Sequence, residues 1–221
     1  MADHPKSFFL SPEIHAYLIE HVEPIDDVQR WLIEETRTRI GDLSIMQISP
    51  EQGAFMTMLT RVVGVRRAVE VGTFTGYSAL SIARGLAEGG RLLCCDVSEE
   101  WTAIAREGWA KAGVEGSIDL QIAPAIETLR ALPTDEPIDL AFIDADKVGY
   151  ASYYEELLLR LRPNGVILVD NTLWSGGVID SARDDDDTQA IRAFNDKVAA
   201  DERVESVILT LGDGLTMIRK R

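Results

Sequence analysis

The 221-residue chain reads as an α/β fold: an open, doubly wound sheet of mostly parallel strands, helices on both faces, and an antiparallel hairpin at the C-terminus. Three observations predict it. From Arg67 onward, short apolar runs alternate with longer stretches of helical periodicity, the pattern of parallel strands joined by crossover helices. The last two apolar runs instead flank Gly212-Asp213-Gly214, a glycine-rich hairpin turn. Finally, 46% hydrophobic residues suffice for one sizeable core, and no repeat or low-complexity linker divides the chain. A single domain over 1–221 is expected, with a helical segment at 1–45 ahead of a core at 46–221.

The elements follow in order. Ser11-Pro12 has the N-cap and N1 character of a helix start, and a second helix begins near Asp26 and carries Trp31, Leu32 and Ile33. Both are expected to precede and cover the main fold. Ser49-Pro50-Glu51-Gln52 reads as a capping box opening a third helix to about Val63. Strands are expected at Ala68–Val71, Arg91–Asp96, Ile118–Ile122, Ile138–Ile143 and Gly165–Asp170. Helices are expected at Gly76–Ala87, Glu99–Ala112, Ala125–Ala131, Tyr150–Leu161 and Thr188–Ala200, and the final pair at Val204–Leu209 and Leu215–Ile218.

Composition narrows the function. With 22 basic and 37 acidic residues the formal charge is −15, and no segregated basic patch is visible, which disfavours nucleic acid and other large polyanions. No run approaches the roughly 18–20 apolar residues of a membrane span, and Met1–Ser7 lacks a basic segment followed by an apolar signal core. A soluble, cytoplasmic protein without a membrane partner is expected. The two cysteines, Cys94 and Cys95, are adjacent in a strand and so point to opposite faces, which argues against a disulfide and fits a reducing compartment. His4, His15 and His21 all precede the glycine loop and no GxSxG elbow occurs, so Ser-His nucleophilic catalysis has little support.

In open α/β sheets ligands bind beyond the carboxyl ends of the strands, and three strands end in acids: Asp96, Asp144 and Asp170. The run from Val69 to Ser78 passes from strand through a glycine loop into a helix, the form of a nucleotide-type loop. Its spacing is GxxxG rather than GxGxxG, and Glu70 would repel a pyrophosphate, which argues against a nicotinamide oxidoreductase. A carboxylate there suits a cofactor with a cationic amino group or sulfonium. A tight strand-to-helix turn needs glycine for purely structural reasons, but Asp96 on the next strand, placed to accept from both ribose hydroxyls, favours a nucleoside cofactor.

Asp144, Ala145, Asp146 and Lys147 follow the fourth strand, and Asp170-Asn171 closes the fifth. Strand-end Asp and Asn commonly cap the next helix. If these two strands are neighbours, however, Asp144, Asp170 and Asn171 converge as hard oxygen ligands suited to Mg²⁺, Mn²⁺ or Ca²⁺, with positions left open. Asp184–Asp187 reads instead as a solvated charge run. Trp174 is placed to wall an aromatic substrate, or equally to serve a core or interface.

Glu70-Val71-Gly72-Thr73-Phe74-Thr75-Gly76-Tyr77-Ser78, Phe142-Ile143-Asp144-Ala145-Asp146-Lys147, Asp170-Asn171-Thr172-Leu173-Trp174 and Gly212-Asp213-Gly214-Leu215 together resemble the cation-dependent small-molecule O-methyltransferases, which include the caffeoyl-CoA and catechol enzymes. The resemblance runs from about Met46 to the C-terminus. It implies the Rossmann-like, seven-stranded class I methyltransferase fold and a magnesium-assisted transfer of methyl from S-adenosylmethionine to one hydroxyl of a catechol-like vicinal diol. By the same resemblance, Glu70, Gly72, Thr73 and Ser78 would hold the methionine and ribose part of the cofactor, with Asp96 on the ribose hydroxyls. Ala125 and Asp146 would border the adenine, and Met46 and Ile48 would close the cofactor from the N-terminal side. Asp144, Asp170 and Asn171 would bind the metal, Lys147 would be the general base, and Lys147, Asn171 and Trp174 would meet the acceptor.

The resemblance also implies a homodimer. Ala123-Pro124, Ser175 and a short segment carrying the Asp184–Asp187 run depart from the plant members, which counts against a coenzyme A thioester as acceptor. The alternatives are a non-catalytic adenosine-cofactor-binding protein on the same fold and a Rossmann oxidoreductase. Neither requires the set of Asp144, Lys147, Asp170 and Asn171.

Overall fold

The computed structural model describes residues 10–221; Met1–Ser7 and His4 lie outside them. Its helices are α1 (Pro12–Glu20), α2 (Asp27–Ile40), α3 (Pro50–Val63), α4 (Tyr77–Gly85), α5 (Glu99–Ala112), α6 (Ala125–Ala131), α7 (Tyr150–Arg160) and α8 (Asp186–Ala199). The strands are β1 (Arg67–Val71), β2 (Arg91–Asp96), β3 (Ile118–Ile122), β4 (Ile138–Ile143), β5 (Leu161–Val169), β6 (Val204–Leu209) and β7 (Leu215–Lys220). They form one seven-stranded sheet in the order β3-β2-β1-β4-β5-β7-β6. β1 to β5 pair in parallel, and β7 runs antiparallel to both β5 and β6. The chain winds outward from β1 in one direction and then from β4 in the other, so the sheet has its switch point between them and a crevice opens at their carboxyl ends.

The period-two alternation of the strands divides the core into two layers. Val69, Val71, Cys95, Ala141, Ile143, Ile167 and Val169 face α6, α7 and α8. Ala68, Leu92, Cys94, Leu140, Phe142 and Leu168 face α2 to α5. Cys94 and Cys95 therefore lie on opposite faces as buried free thiols, as their adjacency in a strand requires.

The N-terminal helices differ in how they attach. α1 begins where expected, capped by Ser11 with Pro12 at its first position, yet buries no residue. α2 is capped by a reciprocal Asp26–Gln29 pair (Gln29 N–H to Asp26 Oδ1, 2.9 Å; Asp26 N–H to Gln29 Oε1, 3.1 Å). It buries Leu32 completely, against Gly108 of α5. The Thr36 hydroxyl on the same helix donates to Thr75 Oγ1 at 2.8 Å, tying α2 to the loop after β1.

Three expectations are corrected. Ser49 caps α3 in backbone position only: its hydroxyl is buried without a partner, and Gln52, the expected other half of a capping box, turns away from it. β5 starts at Leu161 rather than Gly165, because Leu161 pairs with Ile138 ahead of a register shift that takes up Pro163-Asn164-Gly165, the residues that hid the strand's beginning. The helix expected to reach Ala87 ends at Gly85. Among the described residues no helix is long and apolar enough to cross a membrane.

Leu32 tests whether α2 is structural or ornamental. Leu32→Ala is expected to destabilise the protein by about 2–5 kcal/mol, the usual loss for a buried leucine whose cavity cannot collapse. Urea denaturation checks this, and an unchanged midpoint would mean that α2 rests on the core without supporting it.

Candidate active site

The crevice at the switch point is a cleft of about 950 Å³, bounded by the carboxyl ends of β1, β2, β4 and β5, the segment before α3 and the β6–β7 turn. Gly72 makes its geometry possible. This residue has φ +88°, and a Cβ placed there would lie 1.9 Å from the Asp144 carbonyl oxygen. Only glycine lets the ends of β1 and β4 approach this closely.

The loop that follows is held from β2. Asp96 Oδ2 accepts from the Thr73 and Phe74 N–H groups at 2.9 and 2.8 Å, and Oδ1 accepts from the Ser98 N–H at 2.8 Å. Asp96 lines the cleft, and about one lone-pair site, on Oδ1, remains beyond these three bonds. Phe74 packs edge-on against Trp101 at 5.2 Å between ring centroids, placing two aromatic side chains on this wall.

Met46, Ile48, Gly72, Thr73, Ser78, Asp96, Ala125 and Asp146 all border the cleft. Asp146 Oδ1 accepts from the Tyr153 hydroxyl at 2.6 Å. Among the expected cofactor contacts, Glu70 alone is not on the wall. Its side chain is fully buried in β1, behind Thr73 and Ser78, where Oε2 accepts from the Cys94 thiol at 3.4 Å and Oε1 has no partner. Burial pushes its carboxyl up to about 8, only partly offset by Ser78, Cys94 and Thr73.

At the other end of the cleft the sheet brings Asp144, Lys147, Asp170, Asn171 and Trp174 together, because β4 and β5 are neighbours. Lys147 is 9% exposed and spends three donors here: on Asn171 Oδ1 (2.7 Å), on Asp144 Oδ1 (3.2 Å) and on the Tyr150 hydroxyl (2.6 Å). The Tyr150 hydroxyl in turn donates to the Asp170 carbonyl at 3.2 Å. Burial pushes the carboxyls of Asp144 and Asp170 upward. The Lys147 charge opposes this at both, and the Asp144 charge adds to it at Asp170. Among the described residues no three His, Cys, Asp or Glu side chains gather as a ligand set, so the oxygen set here is two carboxylates completed by the Asn171 carboxamide.

The segment after β5 is bent into place. Asn171, Trp174 and Ser175 have φ of 56°, 51° and 50°, a left-handed backbone that costs roughly 1–3 kcal/mol each outside glycine and is tolerated best by asparagine. The β6–β7 turn holds it there: Thr172 N–H donates to the Gly214 carbonyl (2.9 Å), Leu173 N–H to the Asp213 carbonyl (3.0 Å), and Ser175 N–H to Asp213 Oδ1 (2.6 Å). Trp174 is oriented by Nε1 donating to Thr188 Oγ1 at 3.1 Å, with its ring 5.7 Å from Lys147 Nζ. Of the Asp184–Asp187 run, Asp185 caps α8 through Thr188, whereas Asp187 stands exposed at the cleft rim.

The model of the O-methyltransferase family matches residues 22–221. The chain belongs to this O-methyltransferase family. It is 41% identical over 208 residues to a probable caffeoyl-CoA O-methyltransferase 2 of Dictyostelium discoideum, covering 92% of this chain and 90% of that protein. An O-methyltransferase of Bacillus cereus, solved in complex with SAH, superposes with a TM-score of 0.87 at 32% identity, covering 95% of this chain and 97% of that one. An O-methyltransferase of Streptomyces achromogenes involved in tomaymycin synthesis, solved with SAM, superposes with a TM-score of 0.84 at 27% identity, over 94% and 96% of the two chains. The protein is thus an S-adenosylmethionine-dependent O-methyltransferase on the class I methyltransferase fold, as the motifs implied.

Several wall residues escaped the sequence reading. Trp101 carried a signal, an aromatic three residues after the helix cap Ser98 that follows the strand-end Asp96. Tyr153 read only as part of the helix starting at Tyr150, and Gln52 read as half of a capping box. Tyr153 meets Asp146 only seven residues earlier, whereas the partner of Gln52, Asp170, is 118 residues away and left no local signal.

Glu70 makes stability depend on pH. Its folded-state value lies above the ordinary 4.5, so the stability contributed by the neutral carboxyl is full below about pH 4.5 and lost as pH rises through about 8. Without cofactor, the urea midpoint is expected to fall across this window more steeply in the native protein than in Glu70→Gln, where no proton is exchanged. Parallel pH profiles would show that Glu70 ionises normally.

Proposed function

We propose that this methyltransferase is divalent-metal-dependent and acts on one hydroxyl of a small catechol-like vicinal diol. The observation that carries the reading is the convergence of Asp144 Oδ1 and Asn171 Oδ1 on Lys147 Nζ, at 3.2 and 2.7 Å, at the ends of adjacent strands and in the same cleft as the glycine loop. The donor set fits a hard dication: its side-chain ligand atoms are all oxygens, burial raises both acids with the Asp144 charge adding to it at Asp170, and a single ammonium offsets them. Asp144, Asp170 and Asn171 would hold the ion, most simply Mg²⁺. Once bound, it supplies Lewis acidity that lowers the pKa of a coordinated hydroxyl and fixes its direction.

The remaining work falls to the chain's own residues. Lys147 Nζ acts as the neutral amine, its ammonium proton first given up to solvent, and accepts the proton from the acceptor hydroxyl, while Trp174 lies against the acceptor ring. The acceptor oxygen bonds to the methyl carbon as the carbon–sulfur bond of S-adenosylmethionine breaks, and the sulfur leaves with that electron pair. Met46, Ile48, Gly72, Thr73, Ser78, Asp96, Ala125 and Asp146 hold the methyl donor, with Glu70 supporting the loop from beneath, so that donor and acceptor meet in register.

The charge of the cleft favours a neutral or cationic acceptor. Asp96, Asp144, Asp146, Asp170, Asp187 and Asp213 line it against one basic side chain, Lys147. A coenzyme A thioester brings several phosphate charges to that wall. The exposed faces of β6 and the unburied α1 support a homodimer, the buried free thiols support a cytoplasmic location, and the continuous sheet supports one domain with 1–45 as its helical lead.

Labelled S-adenosylmethionine and a panel of catechols test the reaction. Transfer is expected to require Mg²⁺ and to stop with chelator. Asp144→Ala is expected to lower turnover by more than the roughly 10–100-fold typical of outer-shell changes, while S-adenosylmethionine binding measured by calorimetry persists. Turnover indifferent to chelator would sink the metal assignment.

Acceptor charge is tested by comparing a catechol amine with a catechol presented as a coenzyme A thioester. The amine is expected to have the higher kcat/KM by about tenfold or more, a gap that narrows with salt and in Asp187→Asn. Equal values at low salt would refute electrostatic selection while leaving the reaction class intact.

A further inference from the structure

The side chain of Gln52 is 1% exposed although it lies in the first turn of α3, where a polar side chain usually meets water or caps its own helix. It does neither. Its Nε2 donates to Asp170 Oδ2 at 2.9 Å, across 118 residues of chain, and the Ser49 hydroxyl is left without a partner. The other half of the amide lies against the β6–β7 turn, where Gly212 leaves it room: a Cβ there would lie 2.5 Å from Gln52 Oε1. The amide presents its nitrogen to Asp170, because its oxygen there would set two acceptors against each other.

The consequence falls on Asp170. Its Oδ1 accepts from the Asn171 N–H at 2.7 Å and its Oδ2 accepts from Gln52, so each oxygen has one fixed donor and keeps lone-pair capacity free. Gln52 supplies the side-chain donor. Without it, the Asn171 N–H alone would hold the carboxylate, which could then swing about its last torsion. The donor is also neutral, so it orients a carboxylate already crowded by Asp144 without adding an ammonium that would compete with a cation.

We infer that Gln52 is a positioning residue for Asp170, aiming its carboxylate at the cation position and coupling α3 and the β6–β7 turn to that site. This rests on the proposed metal dependence. Outer-shell partners of this kind typically govern metal affinity by about 10–100-fold.

Two variants of the full chain test it, with Mn²⁺ binding measured by calorimetry in the absence of acceptor and S-adenosylmethionine binding measured in chelator. Gln52→Met fills a similar volume without a donor, and Gln52→Asn keeps the amide but retracts it by about 1.5 Å, one carbon–carbon bond. Both are expected to bind Mn²⁺ about 10–100-fold more weakly and S-adenosylmethionine within about twofold of the native protein. Native-like Mn²⁺ affinity in either variant would overturn the role of Gln52 alone. Loss of both ligands in both variants would also overturn it, by making Gln52 a folding residue. If the native protein itself fails to bind Mn²⁺, the metal reading falls and the inference with it.

Discussion

Two carboxylates, Asp144 and Asp170, stand at the ends of adjacent strands with one ammonium, Lys147, to balance them. Isolated, either acid would be costly to bury, and together they raise each other's cost. The surrounding structure can be understood as what it takes to keep them there. Lys147 spends three donors on Asp144, Asn171 and Tyr150, and Tyr150 passes the constraint to the backbone of Asp170. A site that holds this much like charge is preorganised for a cation, and Lys147 satisfies that demand in the described structure.

The scaffold delivers this arrangement through closeness rather than through many contacts. Gly72 lets the end of β1 come against the backbone of Asp144, so the methyl-donor loop and the acid pair share one wall. On the far side, the β6–β7 turn clamps the left-handed stretch from Asn171 to Ser175 by three backbone N–H bonds. The C-terminal antiparallel pair is therefore more than a sheet extension. Inserting β7 between β5 and β6 places residues 212–214 beside the end of β5, and without that insertion the strained segment carrying Asn171 and Trp174 would lack its anchor.

Much of this was legible in the sequence because it is local. The strand-end acids, the glycine loop, the parallel strands from Arg67 onward and the final hairpin depend on periodicity and on neighbours in the chain. What was hidden depends on pairs brought together only by folding. Gln52 has the spacing of a capping box, in which its side chain would accept from the Ser49 N–H, but it instead donates to a buried carboxylate 118 residues away, and leaving Asp170 Oδ2 without that donor would be costly. The beginning of β5 was hidden because Pro163, Asn164 and Gly165 look like a turn, whereas the sheet absorbs them in a register shift. Asp187 differs from its three acidic neighbours only in facing the cleft, a distinction that no charge count contains.

The acidity of the cleft also bears on which ligand it prefers at each stage. S-adenosylmethionine carries a sulfonium charge that disappears on methyl transfer, so a wall of carboxylates interacts more favourably with the methyl donor than with the spent cofactor. Glu70 is placed differently from the other acids: kept neutral by burial behind Thr73 and Ser78, it supports the loop without adding charge to the wall. The carboxylates that do line the wall thus favour the charged reactant over the neutral product. A polyanionic acceptor would instead be repelled at the rim, where Asp187, in the first turn of α8, adds its charge to the wall.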